Sequence, residues 1–308
     1  MRPRAVRLAI RILAAALVAS LATAMGAPLQ AQELVVGEGA RYASVSAAVA
    51  AAAPGSTIRV RPGTYREPTI VIRTPGLRLV GDGWPVLDGE GAHEIVNVRA
   101  DGVTVQGFVF VNTGVAHMED RAALRVIESA RCTVAENRFR ETLFAIYLQR
   151  ARDCTIRDND IIGAGSGESS NGNGVHLWHS TGIRVIGNRI RGQRDGIYFE
   201  FSRGAIAEDN RSEGNVRYGL HFMFSDSCTY SRNAFVGNGA GGAVMYSKGI
   251  TMRRNEFRDA VGSAAYALLL KEITDGALVE NQFVGSSTGL YLEGASRLEI
   301  RGNEFGAN

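Results

Sequence analysis

Two motifs recur along this chain with the same uneven step, and a chain that repeats itself in this way has few folds open to it. The first motif, apolar-x-x-Asn-x-apolar, carries Asn137, Asn159, Asn188, Asn210, Asn233, Asn255, Asn281 and Asn303. Successive asparagines lie 22, 29, 22, 23, 22, 26 and 22 residues apart. The second motif holds glycine or alanine at positions 145, 174, 196, 219, 241, 267 and 289, with steps of 29, 22, 23, 22, 26 and 22. Two separate ladders therefore place the insertions in the same gaps. A period in the low twenties marks a solenoid, in which each repeat is one coil laid on the last.

The local pattern says which solenoid. From Thr57 onward apolar residues alternate at period two, as in Ile58 and Val60, Ile70 and Ile72, Leu77 and Leu79, and Val103 and Val105. Glycines separate these runs, and no segment offers a long amphipathic helix. The expected fold is all-β, a right-handed parallel β-helix of coils of about 22 residues. Residues 44–53, alanine-rich with Val45 and Val49 at helical spacing, open on Ser44 and stop at Pro54. They are expected to form a short capping helix over the first open rung, where unpaired strand edges invite aggregation.

Residues 1–31 read as a secretory signal peptide: Arg2, Arg4, Arg7 and Arg11 precede an apolar middle and then small residues, with a cut expected near Ala31. No Arg-Arg pair occurs in that segment, which favours the general secretory route and a periplasmic location. The chain then divides into residues 32–56, an N-terminal segment with the cap, and residues 57–308, the coils. Removing four arginines and no acid takes the formal charge from +3 to −1. With no basic run left, nucleic acid is not an expected partner.

A side-chain amide both donates and accepts, so the eight asparagines are expected to form a structural ladder through the stack. Cys132 and Cys154 share one column on neighbouring coils, within disulfide reach, and Cys228 lies three coils further on. The apolar company in that column (Val103, Ile183, Ala205, Ile250) favours buried thiols over a bond. Insertions are expected around residues 112–120, 163–173 and 259–264, on the side that shapes a binding surface.

The chemistry centres on a phrase written three times, ending at Ser202, Ser225 and Ser247. In the middle copy alternation sends Leu220 and Phe222 inward and His221 and Met223 outward. Across coils this gives two outward columns. One reads Tyr147, His176, Tyr198, His221, Ala243, Leu269, Tyr291; the other reads Gln149, Trp178, Glu200, Met223, Met245, Lys271, Glu293. His221, Met223 and Met245, with His176, are candidate metal ligands, since thioether with imidazole suits transiently bound Cu(I). Trp178, Tyr198, Glu200 and Tyr246 are the candidate docking surface, and such a face equally suits a protein partner. His117, Met118 and His179 are further candidate ligands, and His93 reads as a surface residue. No catalytic set stands out. A polysaccharide lyase or hydrolase, or a carbohydrate-binding protein, is the alternative on this fold, but the acids scatter: Glu200 and Glu293 are four rungs apart, and Asp195 and Asp226 are expected at turns.

The phrases running from Asp195 to Ser202, from Tyr218 to Asp226, from Ala243 to Ser247 and from Leu268 to Glu272 resemble the NosD family, periplasmic maturation proteins of nitrous oxide reductase. The stretches from Pro54 to Tyr65 and from Leu87 to Gly89 resemble its opening coils. The resemblance covers roughly residues 40–308. It implies an assembly factor, without enzymatic turnover of its own, for the copper–sulfide centre of the reductase. The implied partners are an inner-membrane ABC transporter, a copper chaperone and nitrous oxide reductase itself. The sequence departs from the family by stopping at Asn308 right after a ladder motif, with no capping segment.

Overall fold

The computed structural model describes residues 30–116, 119–163, 167–168, 170–263 and 265–308, and there the chain is a parallel β-solenoid with one short helix. The expected signal peptide lies outside the described residues, apart from its last two. A regular coil lays down three strands, such as Phe144–Gln149, Thr155–Arg157 and Asp160–Ile162. The next coil, Asn173–Trp178, Arg184–Ile186 and Arg189–Arg191, pairs with it strand for strand in parallel. Three short strands and their turns use up the repeat. Stacked, the strands form one sheet of 21, which takes in the first two strands of each coil, and a second of 11. Insertions sit between coils, at 112–121, 163–172 and 259–265.

The core is one narrow column of apolar side chains, because alternate residues of every strand point to the axis. Leu220 and Phe222 are fully buried. Aromatic rings continue rung to rung, Phe110 on Phe139 at 4.8 Å and Phe235, Phe257, Phe283 and Phe305 at 4.9, 5.4 and 5.0 Å. Cys132, Cys154 and Cys228 are buried free thiols.

Backbone groups at the corners are satisfied by side-chain ladders. The Oδ1 of Asn210 accepts from the backbone N–H of Asn188 at 2.9 Å and from its Nδ2 at 3.0 Å, while Nδ2 of Asn210 donates to the Val185 carbonyl at 2.8 Å. The asparagine ladder starts where Phe108 donates its N–H to Asn137. A second ladder, of serines, closes another corner: the hydroxyl oxygens of Ser202, Ser225 and Ser247 accept from the N–H groups of Ser180, Ser202 and Ser225. Gln193, Asn215 and Asn238 build a third.

Helix α1, Val45–Ala51, covers the first coils with Val45, Ala48 and Val49. Ser44 caps it by accepting from the Ala47 N–H, and Glu67 takes the N–H groups of Val45 and Ser46 at 2.7 and 2.8 Å. These bonds occupy donors that have no partner inside the helix. Among the described residues no helix is long and apolar enough to cross a membrane.

Candidate functional site

The first strand of each coil presents its outward residues side by side. One column runs Asn97, Arg125, Tyr147, His176, Tyr198, His221, Ala243 and Leu269. The next runs Gln149, Trp178, Glu200, Met223, Met245 and Lys271. Met223 and Met245 are thus direct neighbours on adjacent coils, with His221 two residues from Met223 on the same strand.

His221 faces outward and yet is only 6% exposed. Tyr198 stacks on its ring at 4.5 Å, and Tyr218 lies against it at 4.7 Å. Its Nδ1 sits 3.4 Å from Oδ2 of Asp195. Asp195 is fully buried and gripped by Arg217, Nε to Oδ1 at 2.9 Å and Nη2 to Oδ2 at 2.5 Å. Burial pushes this carboxyl up, but the hydrogen bonds from Arg217 and His221 outweigh it and hold it at about 2. A carboxylate on Nδ1 orients the ring and leaves Nε2 as the remaining ring nitrogen, an arrangement metal-binding histidines commonly use. The Tyr198 hydroxyl lies 4.0 Å from Sδ of Met223.

Asp195 was expected at a turn; it opens the strand Asp195–Glu200 and is buried there, its charge matched by Arg217 and its Oδ2 3.4 Å from Nδ1 of His221.

His176 stands apart from this group. The Tyr198 ring lies between the two imidazoles, 4.7 Å from His176 and 4.5 Å from His221. Tyr147 covers the other face of His176 at 4.4 Å. Burial, with the Arg194 charge, pulls its pKa down to about 3, so the ring is neutral. His117 and Met118 lie outside the described residues. His93 is half-buried and lines a polar groove.

A feature of the phrase that alternation did not single out is the residue before each serine. His179, Phe201, Phe224 and Tyr246 stack in sequence at 4.7, 5.1 and 5.1 Å. Phe201, Phe224 and Tyr246 are 41–44% exposed. All four have φ of 47–52°, the left-handed region that bulky side chains avoid. Most other left-handed positions in the coils carry glycine or charged residues, as at Asp158, Gly187, Asp209, Arg232 and Arg254, with Trp84 the other aromatic among them. Together with Met223 and Met245 they make an apolar stripe four coils tall. Of the expected docking residues, Tyr246 belongs to this stripe, Tyr198 is buried beneath it, and Trp178 and Glu200 turn to a neighbouring groove.

Among the described residues no group of three or more His, Cys, Asp and Glu side chains converges to hold an ion. The soft donors on this wall are one imidazole and, in the adjoining column, two thioethers on neighbouring coils, residue types that suit a soft monovalent ion and are poor for calcium or magnesium. The fold does bring Asp120 and Glu200 to one groove, a convergence of acids that their scatter along the chain conceals.

Residues 162–308 match the family model described as "Periplasmic copper-binding protein (NosD)". A "Probable ABC transporter binding protein NosD" from Stutzerimonas stutzeri is 30% identical over 113 residues, 36% of this chain and 26% of the relative. Its counterpart from Pseudomonas aeruginosa is 34% identical over 112 residues, with the same shares. The chain spans about a quarter of the length of these relatives. A polygalacturonase from Erwinia carotovora superposes with a TM-score of 0.60 over 92% of this chain and 97% of its own, at 10% identity. At that identity the likeness is one of fold, which hosts unrelated functions. The matched stretch holds His176, Asp195, His221, Met223, Met245 and the exposed aromatic stripe. Over residues 162–308 this chain is similar to the NosD family, by the family model and by both curated relatives.

Proposed function

We propose that this protein is a periplasmic assembly factor that handles copper, as cargo, for the copper–sulfide centre of nitrous oxide reductase, beside an ABC transporter and a copper chaperone. The family's description and the relatives' names support the copper and transporter parts of this reading. The observation that carries it is local. Met223 and Met245 lie side by side on adjacent coils, next to a histidine whose Nδ1 is occupied by a buried carboxylate. In this reading Nε2 of His221 and the two sulfurs receive Cu(I), Asp195 and Arg217 fix the imidazole, and Tyr198 shields the ion from water. The exposed stripe of Phe201, Phe224 and Tyr246 then meets the protein that gives or takes the ion.

The test is a competitive Cu(I) titration of the mature protein against a Met223→Ala, Met245→Ala double variant. At least a tenfold loss of affinity is expected, and equal affinity removes these sulfurs from copper handling. A screen of acidic polysaccharides for unsaturated products or new reducing ends addresses the enzyme alternative; cleavage would favour a lyase or hydrolase instead.

A further inference from the structure

The rings that precede the ladder serines occupy one column over only part of its length. That column carries Glu128 and Arg150 before the row, then His179, Phe201, Phe224 and Tyr246, then Glu272 and Gly294, and all eight have left-handed φ. The turn therefore forms without an aromatic residue. Four bulky residues at a strained backbone position, side by side and exposed, serve something outside the fold.

The way the rings are laid restricts what covers them. Their centroids lie 4.7, 5.1 and 5.1 Å apart and their planes are within 13° of parallel. Each ring thus hides its faces against its neighbours and turns an edge to solvent. A sugar or a nucleobase, which docks flat on an aromatic face, finds no free face within the row. Aliphatic side chains, which pack against ring edges, do find their surface there.

Spacing then selects the backbone that carries those side chains. One face of an α-helix presents a side chain about every 5.4 Å, and one face of an extended chain about every 6.8 Å. Over the three steps of the row a helix drifts out of register by about 1 Å, an extended chain by about 5 Å, a whole ring. The strands Asp195–Glu200 and Tyr218–Met223 are also paired on both sides, so no edge is free for an added strand.

Charge gives the helix a polarity across its width. Two residues after each ring, Thr181, Arg203, Asp226 and Lys248 form the next outward column, with Arg152 one coil before them. Arg203 reaches Asp226 only at 3.8 Å and Lys248 reaches Asp275 only at 3.7 Å, and Asp275 already holds Arg297. This flank is therefore basic, whereas the opposite flank carries Glu200, Met223 and Met245. We infer that the aromatic row seats an amphipathic α-helix of a partner protein, about three turns long, with an aliphatic stripe over the rings and acidic residues along the edge that meets Arg152, Arg203 and Lys248. The inference rests on the reading above only in taking the row as a docking surface, and it does not need copper.

The probe is a fluorescein-labelled, side-chain-stapled peptide of about 14 residues, stapled because a free helix of that length is marginal in water. It carries leucines along one face and glutamates along one edge; a lysine counterpart, a scrambled sequence without the stripe and phosphatidylglycerol vesicles are the other arms. Fluorescence anisotropy with the mature protein, free of metal, should show saturable binding of the glutamate peptide with a Kd of about 100 μM or tighter. Phe224→Asn should weaken it at least about tenfold, as loss of a central aromatic anchor does. Arg203→Glu should shift the preference toward the lysine peptide by about threefold or more. Circular dichroism matching the parent shows that both variants are folded. Equal copper affinity in the Met223→Ala, Met245→Ala variant would remove copper handling and leave this inference standing. No saturable binding of the glutamate peptide, binding that ignores Phe224→Asn, equal binding of the scrambled or lysine peptide, or tighter binding to the vesicles overturns it.

Discussion

Each ladder asparagine satisfies three groups at once, so removing one leaves its neighbours stranded rather than merely unsupported. Asn210→Leu orphans the backbone N–H of Asn188 and the carbonyl of Val185, while Nδ2 of Asn188 keeps the Ile156 and Ile186 carbonyls. A loss of about 3 kcal/mol is expected in denaturant unfolding, whereas a mere spacer role would cost about 1 kcal/mol or less. His176 makes a second residue-scale prediction. Burial and Arg194 depress its folded pKa to about 3, below the unfolded value near 6.5. Above that unfolded value both states are neutral and the group contributes nothing to pH dependence. Below it the unfolded chain binds a proton that the folded chain refuses, so stability falls by up to about 1.4 kcal/mol per pH unit. His176→Gln should flatten the stability profile between pH 6 and 4.5. That window lies above the range in which Asp195, held at about 2, loses its own contribution as it protonates. An unchanged slope would mean that His176 titrates normally.

At the scale of strands and turns, the aromatic stripe separates folding from function. Phe222 points to the axis and is fully buried, while Phe224, two residues on, is 44% exposed with φ of 50°. Asparagine tolerates that backbone well, so Phe224→Asn trades a surface ring stack of about 1 kcal/mol for relief of comparable strain. Its net effect on stability should stay within about 1 kcal/mol. Phe222→Asn, by contrast, should cost 3 kcal/mol or more, roughly the cost of emptying a core site. Equal losses at the two positions would make the stripe part of the folding core and not a docking surface.

The strands, the capping helix, the insertions and the asparagine ladder were legible in the sequence because each repeats with the coil or has a local stop signal. Asp195 was harder to read: its meaning depends on Arg217 and His221, one coil away, and a turn reading was natural for an acid beside a glycine. The serine ladder was visible in the phrase, but nothing in one dimension shows that a hydroxyl accepts from the coil before. The exposed Phe201 and Phe224 were hidden for a related reason. Strict alternation carries a strand's parity through its last residue, whereas the left-handed turn after the strand redirects the side chain to the surface.

For the molecule as a whole, the solenoid acts as a ruler. A fixed rung brings residues 22 positions apart, such as Met223 and Met245, into contact without either strand end having to fold in a special way. It also keeps two neighbouring stretches of one outer wall distinct: the polar groove ending at Trp178 and Glu200, and the soft-donor group with its aromatic stripe further along. Neither stretch follows from the fold, since the same coils serve a polygalacturonase; both follow from what the outward columns carry. The central claim is that this wall receives Cu(I) on one nitrogen and two thioether sulfurs. X-ray absorption at the copper edge of the Cu(I)-loaded protein tests it most directly. The expected spectrum shows one imidazole nitrogen and two sulfur scatterers, and the sulfur contribution disappears in the Met223→Ala, Met245→Ala variant. A first shell of nitrogen and oxygen alone, or a sulfur shell that survives the double substitution, would contradict it.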